Sequence, residues 1–428
     1  MKKPISRFYL LLVLVPLLLL ASMGGYYFLE ETAAGSDVVV VPQTPTPPSA
    51  TPVPVPTPEP TPTPFPEHDI TLMAVGDNLM HLGVVASGKQ EDGTYDFSML
   101  FQGISPFLNA ADIRIINQET VMGGNSRGFS GFPYFNSPTE VGDAIADAGF
   151  NVVLQASNHT ADQKLDGLLY CADFWKNKHP EVLVTGIHED ASQADDIPLL
   201  TIDDVTFAIL NYTYGANTET LPLDLLGHLN LLCAVNEKNG QMDFTTLNPQ
   251  VLEDISRAKE LADIVIVCPH WGTEYRLTSD ASQEKWTRIF AENGADLVLG
   301  THPHVIEPID WVIDEKSDHE MLVYYSLGNF VNWTSGTGEG VANRMVGGMA
   351  EVTITKNDNG EVEIADYGVK PMISHVTSGP EGVTTYFLED YPEELAEENE
   401  IVSQDPEFSR EYCVNLCDSV WGDLWKAE

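Results

Sequence analysis

One pattern recurs five times after Asp69 and restricts the fold more than any other feature: a short apolar run that ends in a polar cluster. ITLMAV (70–75) leads into GDNLMH, IRIIN (113–117) into QE, and NVVLQA (151–156) into SNHTAD. Then IVIVCP (264–269) leads into HWGTEY, and LVLG (297–300) into THPHVIEP. Before four of these runs stand helical segments, FQGISPFLNAAD, TEVGDAIADAGF, NPQVLEDISRAKELAD and SQEKWTRIFAENGAD. Continuous apolar strands alternating with helices predict βαβ units, with the strands buried on both faces. In such α/β sheets, sites form beyond the carboxyl ends of the strands. All five polar clusters stand there, so one rim should collect them.

Taken singly, each cluster has an ordinary structural explanation. Gly76-Asp77 reads as a strand-to-loop turn, Asn158-His159 as a cap beside a surface histidine, and His270 as a core histidine. Taken together they gather Asp, Glu, Asn and His at strand ends. Carboxylate, amide oxygen and imidazole form a ligand set suited to Zn, Mn or Fe. No thiolate is among them, which argues against a purely structural zinc site.

The order GD (76–77), N-x-E (117–119), NH (158–159), HWGTEY (270–275), HPH (302–304) and SLGNF (326–330) resembles the CapA family of poly-γ-glutamate capsule proteins. That family lies within the calcineurin-like metallophosphoesterase superfamily, and the resemblance runs from about Ile70 to Val376. It implies an α/β fold of two packed mixed β-sheets flanked by helices. It also implies two divalent metal ions (Mn, Fe or Zn). Asp77 would hold one metal and Glu119 would bridge; Asn158 and His270 would hold the second, and His302 and His304 would close the two shells. His159 is then the general acid or an anion contact, oriented by Asp162, and Glu274 and Tyr275 are substrate contacts. His81 is an extra candidate, with a surface role as the preferred reading. Two departures from the family pattern stand out. The NNHxxDxG motif appears as SNHTADQK, with Lys164 in place of the glycine. The wider superfamily's D-x-H motif appears as Asp77-Asn78-Leu79, which leaves a mononuclear site open.

Outside the domain, Lys2, Lys3 and Arg7 precede an uncharged run from Phe8 to Phe28. About 20 such residues span a bilayer core, and basic residues before the run keep the N-terminus cytoplasmic. The expectation is a signal anchor over residues 1–32, partnered by the lipid bilayer, with the rest of the chain extracytoplasmic; a cleaved signal peptide is the alternative. A Thr/Pro-rich linker covers residues 33–67, where prolines forbid helix and favour an extended spacer. The CapA-like domain is expected over 68–385 and an acidic helical tail over 386–428.

The 64 acidic residues against 21 basic ones give a net charge of −43, which repels phosphate backbones and argues against nucleic acid. The implied partners are an anionic cell-envelope polymer and the membrane subunits of a capsule machine. Three functions follow from the resemblance: a metal-dependent hydrolase or transferase on that polymer, a non-catalytic accessory subunit, or a general metallophosphatase. The five cysteines include no CxxC pair. Cys413 and Cys417 could bridge in an oxidising compartment, although a helical i,i+4 spacing rarely suits the bond. Hairpins are expected around KNG (238–240) and NDNG (357–360), with the later antiparallel strands completing a second sheet.

Overall fold

A computed structural model describes residues 69–333, 336–357, 359–377 and 382–426. The expected anchor and linker lie outside them. Among the described residues, no helix is long and apolar enough to cross a membrane.

The chain begins with β1 (Ile70–Asn78), α1 (Leu82–Ser87), α2 (Ser105–Leu108), β2 (Ile113–Asn117), α3 (Glu140–Ala148), β3 (Val152–Leu154), α4 (Lys164–Lys178) and β4 (Leu183–Thr185). It continues through β5 (Leu199–Ile202), β6 (Val205–Thr213), the hairpin β7 (Cys233–Val235) and β8 (Met242–Leu247), α5 (Pro249–Leu261), β9 (Ile264–His270), α6 (Ala281–Glu292), β10 (Leu297–Leu299), β11 (Ile309–Asp314) and β12 (His319–Tyr324). It ends with β13 (Asn329–Val331), β14 (Val346–Lys356), β15 (Val362–Val376), β16 (Val383–Phe387), α7 (Glu393–Glu398) and α8 (Arg410–Trp421).

Two mixed sheets carry the fold. The larger runs β16-β15-β14-β1-β2-β3-β4, with β13 pairing in parallel with β1. The smaller runs β11-β12-β10-β9-β6-β5. Within the first, β1 to β4 are parallel, as the apolar runs predict. Within the second, β6, β9, β10 and β12 are parallel and both edges are antiparallel. One hydrophobic core unites the elements of both sheets. Polar ties cross between them: Thr185 Oγ1 donates to the Ile209 carbonyl at 3.1 Å, and Tyr324 Oη to the Gly368 carbonyl at 2.8 Å.

The sequence expectation needs one correction here. The hairpin β14–β15 forms around NDNG, but it joins the first sheet instead of the second. β14 pairs antiparallel along β1, from Ile70 opposite Ile354 to Val75 opposite Met349. Without it β1 would present an open edge of unpaired backbone groups. The segment 323–333 is likewise divided, with β12 in the second sheet and β13 in the first.

Helix ends follow local chemistry. Asp280 caps α6 in a reciprocal capping box with Gln283, and Asn248 caps α5 ahead of Pro249. The segment beyond residue 385 packs into the common core through Leu388, Tyr391, Ala396, Cys413 and Trp421. All five cysteines are free and buried. Cys413 and Cys417 stand one turn apart on α8 without a bridge.

Candidate metal centre

The first polar cluster meets the last at Gly76. A Cβ on this residue would lie 1.9 Å from the Gly328 carbonyl oxygen, so only glycine lets the SLGNF turn close over β1. That closure fixes Asp77 at the strand end, where the Asn117 amide donates to Oδ1 at 2.7 Å. Asp77 Oδ2 lies 3.0 Å from His304 Nδ1, and the Asn329 side chain holds the same imidazole at 3.2 Å. The His302 backbone N–H points at the Asp77 carboxylate from 3.3 Å. Asn78 turns away, its amide donating to Gln118 Oε1 at 2.6 Å. The position that would carry the histidine of D-x-H belongs to Leu79, which lines the neighbouring cleft.

Glu119 sits at the centre. Its Oε1 is 3.8 Å from His270 Nε2 and 3.7 Å from His304 Nε2. Two groups of ligand-capable atoms share it: Asp77, Glu119 and His304, and Glu119, His270 and His302, with the atoms of each group within 4.8 Å of one another. Glu274, His302 and His304 form a third. His270 is oriented from both sides, Nδ1 by Thr301 Oγ1 and Nε2 by Asn158 Oδ1, each at 2.9 Å. Asn158 is itself held through Asn217 at 3.2 Å. The structure therefore brings Asp77, Glu119, Asn158, His270, His302 and His304 to one place.

The donor set fits a divalent ion. Both Glu119 oxygens are buried and accept no hydrogen bond among the described residues, and His302 Nδ1 is also unpartnered. A buried carboxylate in that state is costly unless a cation or a proton balances it. Burial pushes the Glu119 carboxyl well up, opposed by His304 and reinforced by Asp77. Burial, together with the neighbouring imidazoles, pushes His270 and His302 well down, which keeps them in the neutral form that ligates metals. For His304, burial acts downward, but the carboxylates of Glu119 and Asp77 outweigh it and raise the imidazole to about 9.

Backbone conformation supports the cluster at some cost. His302 and His304 take φ of +99° and +60°, and Tyr275 takes +64°. Non-glycine residues persist there only where the surroundings hold them. Tyr275 is tied by its N–H to the Pro303 carbonyl at 2.7 Å, which links the HWGTEY loop to the HPH loop. Lys164, which replaces the glycine of the family motif, keeps a left-handed φ of +59°. The turn thus survives the substitution.

Beside the cluster opens a cleft of about 660 Å³ lined by His159, Glu274, Tyr275, His304 and Arg344 among others. His159 Nδ1 contacts Asp162 Oδ2 at 2.7 Å, and its ring meets the Phe135 ring edge-on with centroids 4.5 Å apart. Asp162 Oδ2 also accepts the Phe135 N–H at 2.7 Å, so the pair is fixed to the loop that walls the cleft. His81 is corrected from a surface residue to a cleft residue. It also packs against Phe135, with ring centroids 5.1 Å apart, and burial, with His304 and His159 nearby, pushes it down to about 3. Sequence reasoning missed Arg344, whose guanidinium lies 5.1 Å from the Tyr275 ring centroid. It assigned no role to Asn117, Thr301 and Asn329 as orienting groups. All three stood inside quoted motifs; the segment around Arg344 carries no such signal.

Residues 71–334 match the family described as bacterial capsule synthesis protein PGA_cap. The chain belongs to this family. Among its relatives is a capsule biosynthesis protein CapA of Bacillus anthracis, 27% identical over 277 residues, covering 62% of this chain and 61% of the relative. The PGA biosynthesis protein CapA of Bacillus subtilis (strain 168) is 27% identical over 267 residues, covering 61% and 63%. The matched region thus spans less than two thirds of either relative. Solved structures overlap this family member loosely. One is a novel phosphatase from Mycoplasma pneumoniae, with a TM-score of 0.40, 15% identity, and coverage of 72% of this chain and 94% of that one. Another is the NAD nucleotidase NadN of Haemophilus influenzae, with a TM-score of 0.41, 10% identity, and coverage of 83% and 63%. Overlaps this loose say nothing of activity.

Proposed function

We propose that this chain is a metal-dependent hydrolase or transferase acting on an anionic cell-envelope polymer of the poly-γ-glutamate kind, in capsule synthesis, export or anchoring. The observation that carries the reading is Glu119: a fully buried carboxylate, unpartnered among the described residues, facing three imidazoles and a second carboxylate. The names of the two CapA relatives, capsule biosynthesis protein and PGA biosynthesis protein, support capsule polymer as the substrate class.

Asp77, Glu119 and His304 would hold one divalent ion, and Glu119, His270 and His302 a second. An ion held there supplies Lewis acidity at a carbonyl or phosphoryl oxygen and acidifies a water. The protein's own residues do the rest. Thr301 sets the His270 ring through Nδ1, Asn158 Oδ1 stands beside Nε2 where it would share the second ion, and Asn117 and Asn329 set Asp77 and His304. His159 has Nδ1 engaged by Asp162, which leaves Nε2 to deliver a proton to the leaving atom in the cleft. Phe135 packs against the His159 ring, and with Leu79 it adds apolar surface to the cleft.

We extend the proposal to location. The basic residues and apolar run at the N-terminus support a membrane anchor with the domain outside the cell. Fractionation should place the full chain in the membrane; a mature chain beginning after Ala21 would contradict it. For the centre itself, elemental analysis of metal-replete protein purified without affinity metal should find one or two equivalents of Mn, Fe or Zn. Essentially none would overturn the reading.

A further inference from the structure

Arg344 stands in the short 3-10 turn Val341–Met345 that precedes β14, on the wall of the cleft. Basic residues are scarce in this chain, and many are engaged: Lys176, Lys178, Arg257 and Lys356 each hold a carboxylate. Arg344 is bound differently. Its Nε donates to the Val341 carbonyl at 3.3 Å, and its guanidinium stacks over Tyr275. Those contacts anchor the stem and one face of the fork. Among the described residues no carboxylate pairs with it, and the N–H donors not taken by the Val341 carbonyl and the Tyr275 hydroxyl remain for something else.

Its placement is fixed by elements that also build the metal cluster. Tyr275 belongs to the loop that starts at His270, and the Arg344 carbonyl accepts the Asn329 amide at 2.9 Å, the same Asn329 that touches His304. Gly336 leaves room beside the fork, since a Cβ there would lie 2.9 Å from an Arg344 terminal nitrogen. Of the residues lining the cleft, Arg344 is the only lysine or arginine. Exposed apolar side chains share the lining, with Leu82 and Phe132 exposed at 54% and 75%. A half-buried guanidinium without a carboxylate partner, in a cleft that also offers apolar surface, suits a ligand with an oxyanion next to a hydrocarbon stretch. Guanidinium forks bind carboxylate and phosphoryl groups bidentately.

We infer that Arg344 is the oxyanion-reading residue of this cleft, receiving a carboxylate or phosphoryl group of the substrate beside His159. The inference rests on the proposed function and adds to it the group that recognises the substrate. It also answers an electrostatic difficulty: a chain of net charge −43 repels anions at long range, so capture must depend on local cations. The test uses the full metal-replete chain and calorimetric titration with three probes: a short γ-linked glutamate oligomer, the same oligomer with its free carboxylates amidated, and inorganic phosphate. In Arg344→Gln, affinity for one of the two anions should fall ~10-fold or more, the usual size for a charge-assisted pair. Binding of the amidated oligomer should not change. Arg344→Lys should recover part of the loss, because it keeps the charge without the fork; it also serves as the test if the glutamine variant does not fold. Loss for the oligomer identifies a carboxylate reader, and loss for phosphate alone a phosphoryl reader. Native-like binding of both anions by Arg344→Gln overturns the inference, as does a native chain that binds neither. Metal content, measured on the same samples, should be equal in native and variant. Anion loss in a chain without metal would sink the proposed function and leave this inference standing.

Discussion

Glu119 and Glu307 are both wholly buried glutamates, and the difference between them shows what the metal centre is. Glu307 follows His304 by three residues but turns toward α6, where Oε2 accepts the Gln283 amide at 2.7 Å. Its other neighbour is the tail, through the Trp421 indole N–H on its carbonyl at 3.0 Å. Among the described residues Glu307 belongs to no group of three ligand-capable side chains, and only its Oε1 lacks a hydrogen-bond partner. Burial raises Glu307 to about 8, so near neutrality a proton balances it. Glu119 is also pushed up by burial, yet both its oxygens face ligand-type atoms and neither has a hydrogen-bond partner among the described residues. The surroundings of one buried carboxyl suit a proton, and those of the other fit a cation.

The largest expected effect comes from removing the charge at the cation-type site. Glu119→Gln keeps the shape and should lose metal and turnover together while the fold survives, by at least the ~10–100-fold that even an orienting neighbour of a ligand is worth. Elemental analysis and far-UV circular dichroism read this out; full metal content in the variant would break the contrast. Where Glu119→Gln removes the ion and with it essentially all turnover, His159→Ala should keep its metal and lose ~10²–10⁴-fold in rate, since it acts on protons and not on the ion. Native rates with native metal on whichever polymer or phosphoester substrate works would reduce His159 to a wall of the cleft. The smallest effect belongs to Glu307. Its folded pKa lies above the usual carboxylate value, so the native state holds a proton that the unfolded chain has lost between about pH 4.5 and 8. Stability from this group is therefore full below about pH 4.5 and is lost as pH rises toward 8. Glu307→Gln should flatten that decline by up to a few kcal/mol, on the order of 1.4 per pH unit before solvent relaxation reduces it. Urea midpoints at pH 5 and 8 measure it; an unchanged pH slope would show that Glu307 is not proton-balanced.

The strained backbone marks the same division. Positive φ at His302, His304 and Tyr275 clusters at the metal centre and the cleft loop tied to it. Local sequence reading could not see this strain in HPH or HWGTEY, because it arises from ties between loops, such as Tyr275 N–H to Pro303. Lys164 is the exception, since the glycine of the family motif pointed to its φ.

By itself the sequence determined the five apolar strands that carry the polar clusters and which Asp, Glu, Asn and His residues stand at their ends, but not β4, β5, β6 or β11. The reason is local: apolar runs define buried strands, and each polar cluster begins where such a run stops. Parallel strands in one sheet end on the same side, so Asp77, Glu119 and Asn158 had to share a rim. Packing the second sheet against the first then set His270, His302 and His304 opposite them. What only the tertiary structure decided was the company those residues keep. The hairpin after Met345 went to the first sheet because β1 needed a partner along its open edge. His81 entered the cleft because Phe135 gave its ring a surface. Arg344 became the cleft's cation because the Tyr275 ring and the Asn329 amide, both distant in sequence, fix its position. Each of these depends on contacts between separate segments, which no pattern along the chain encodes.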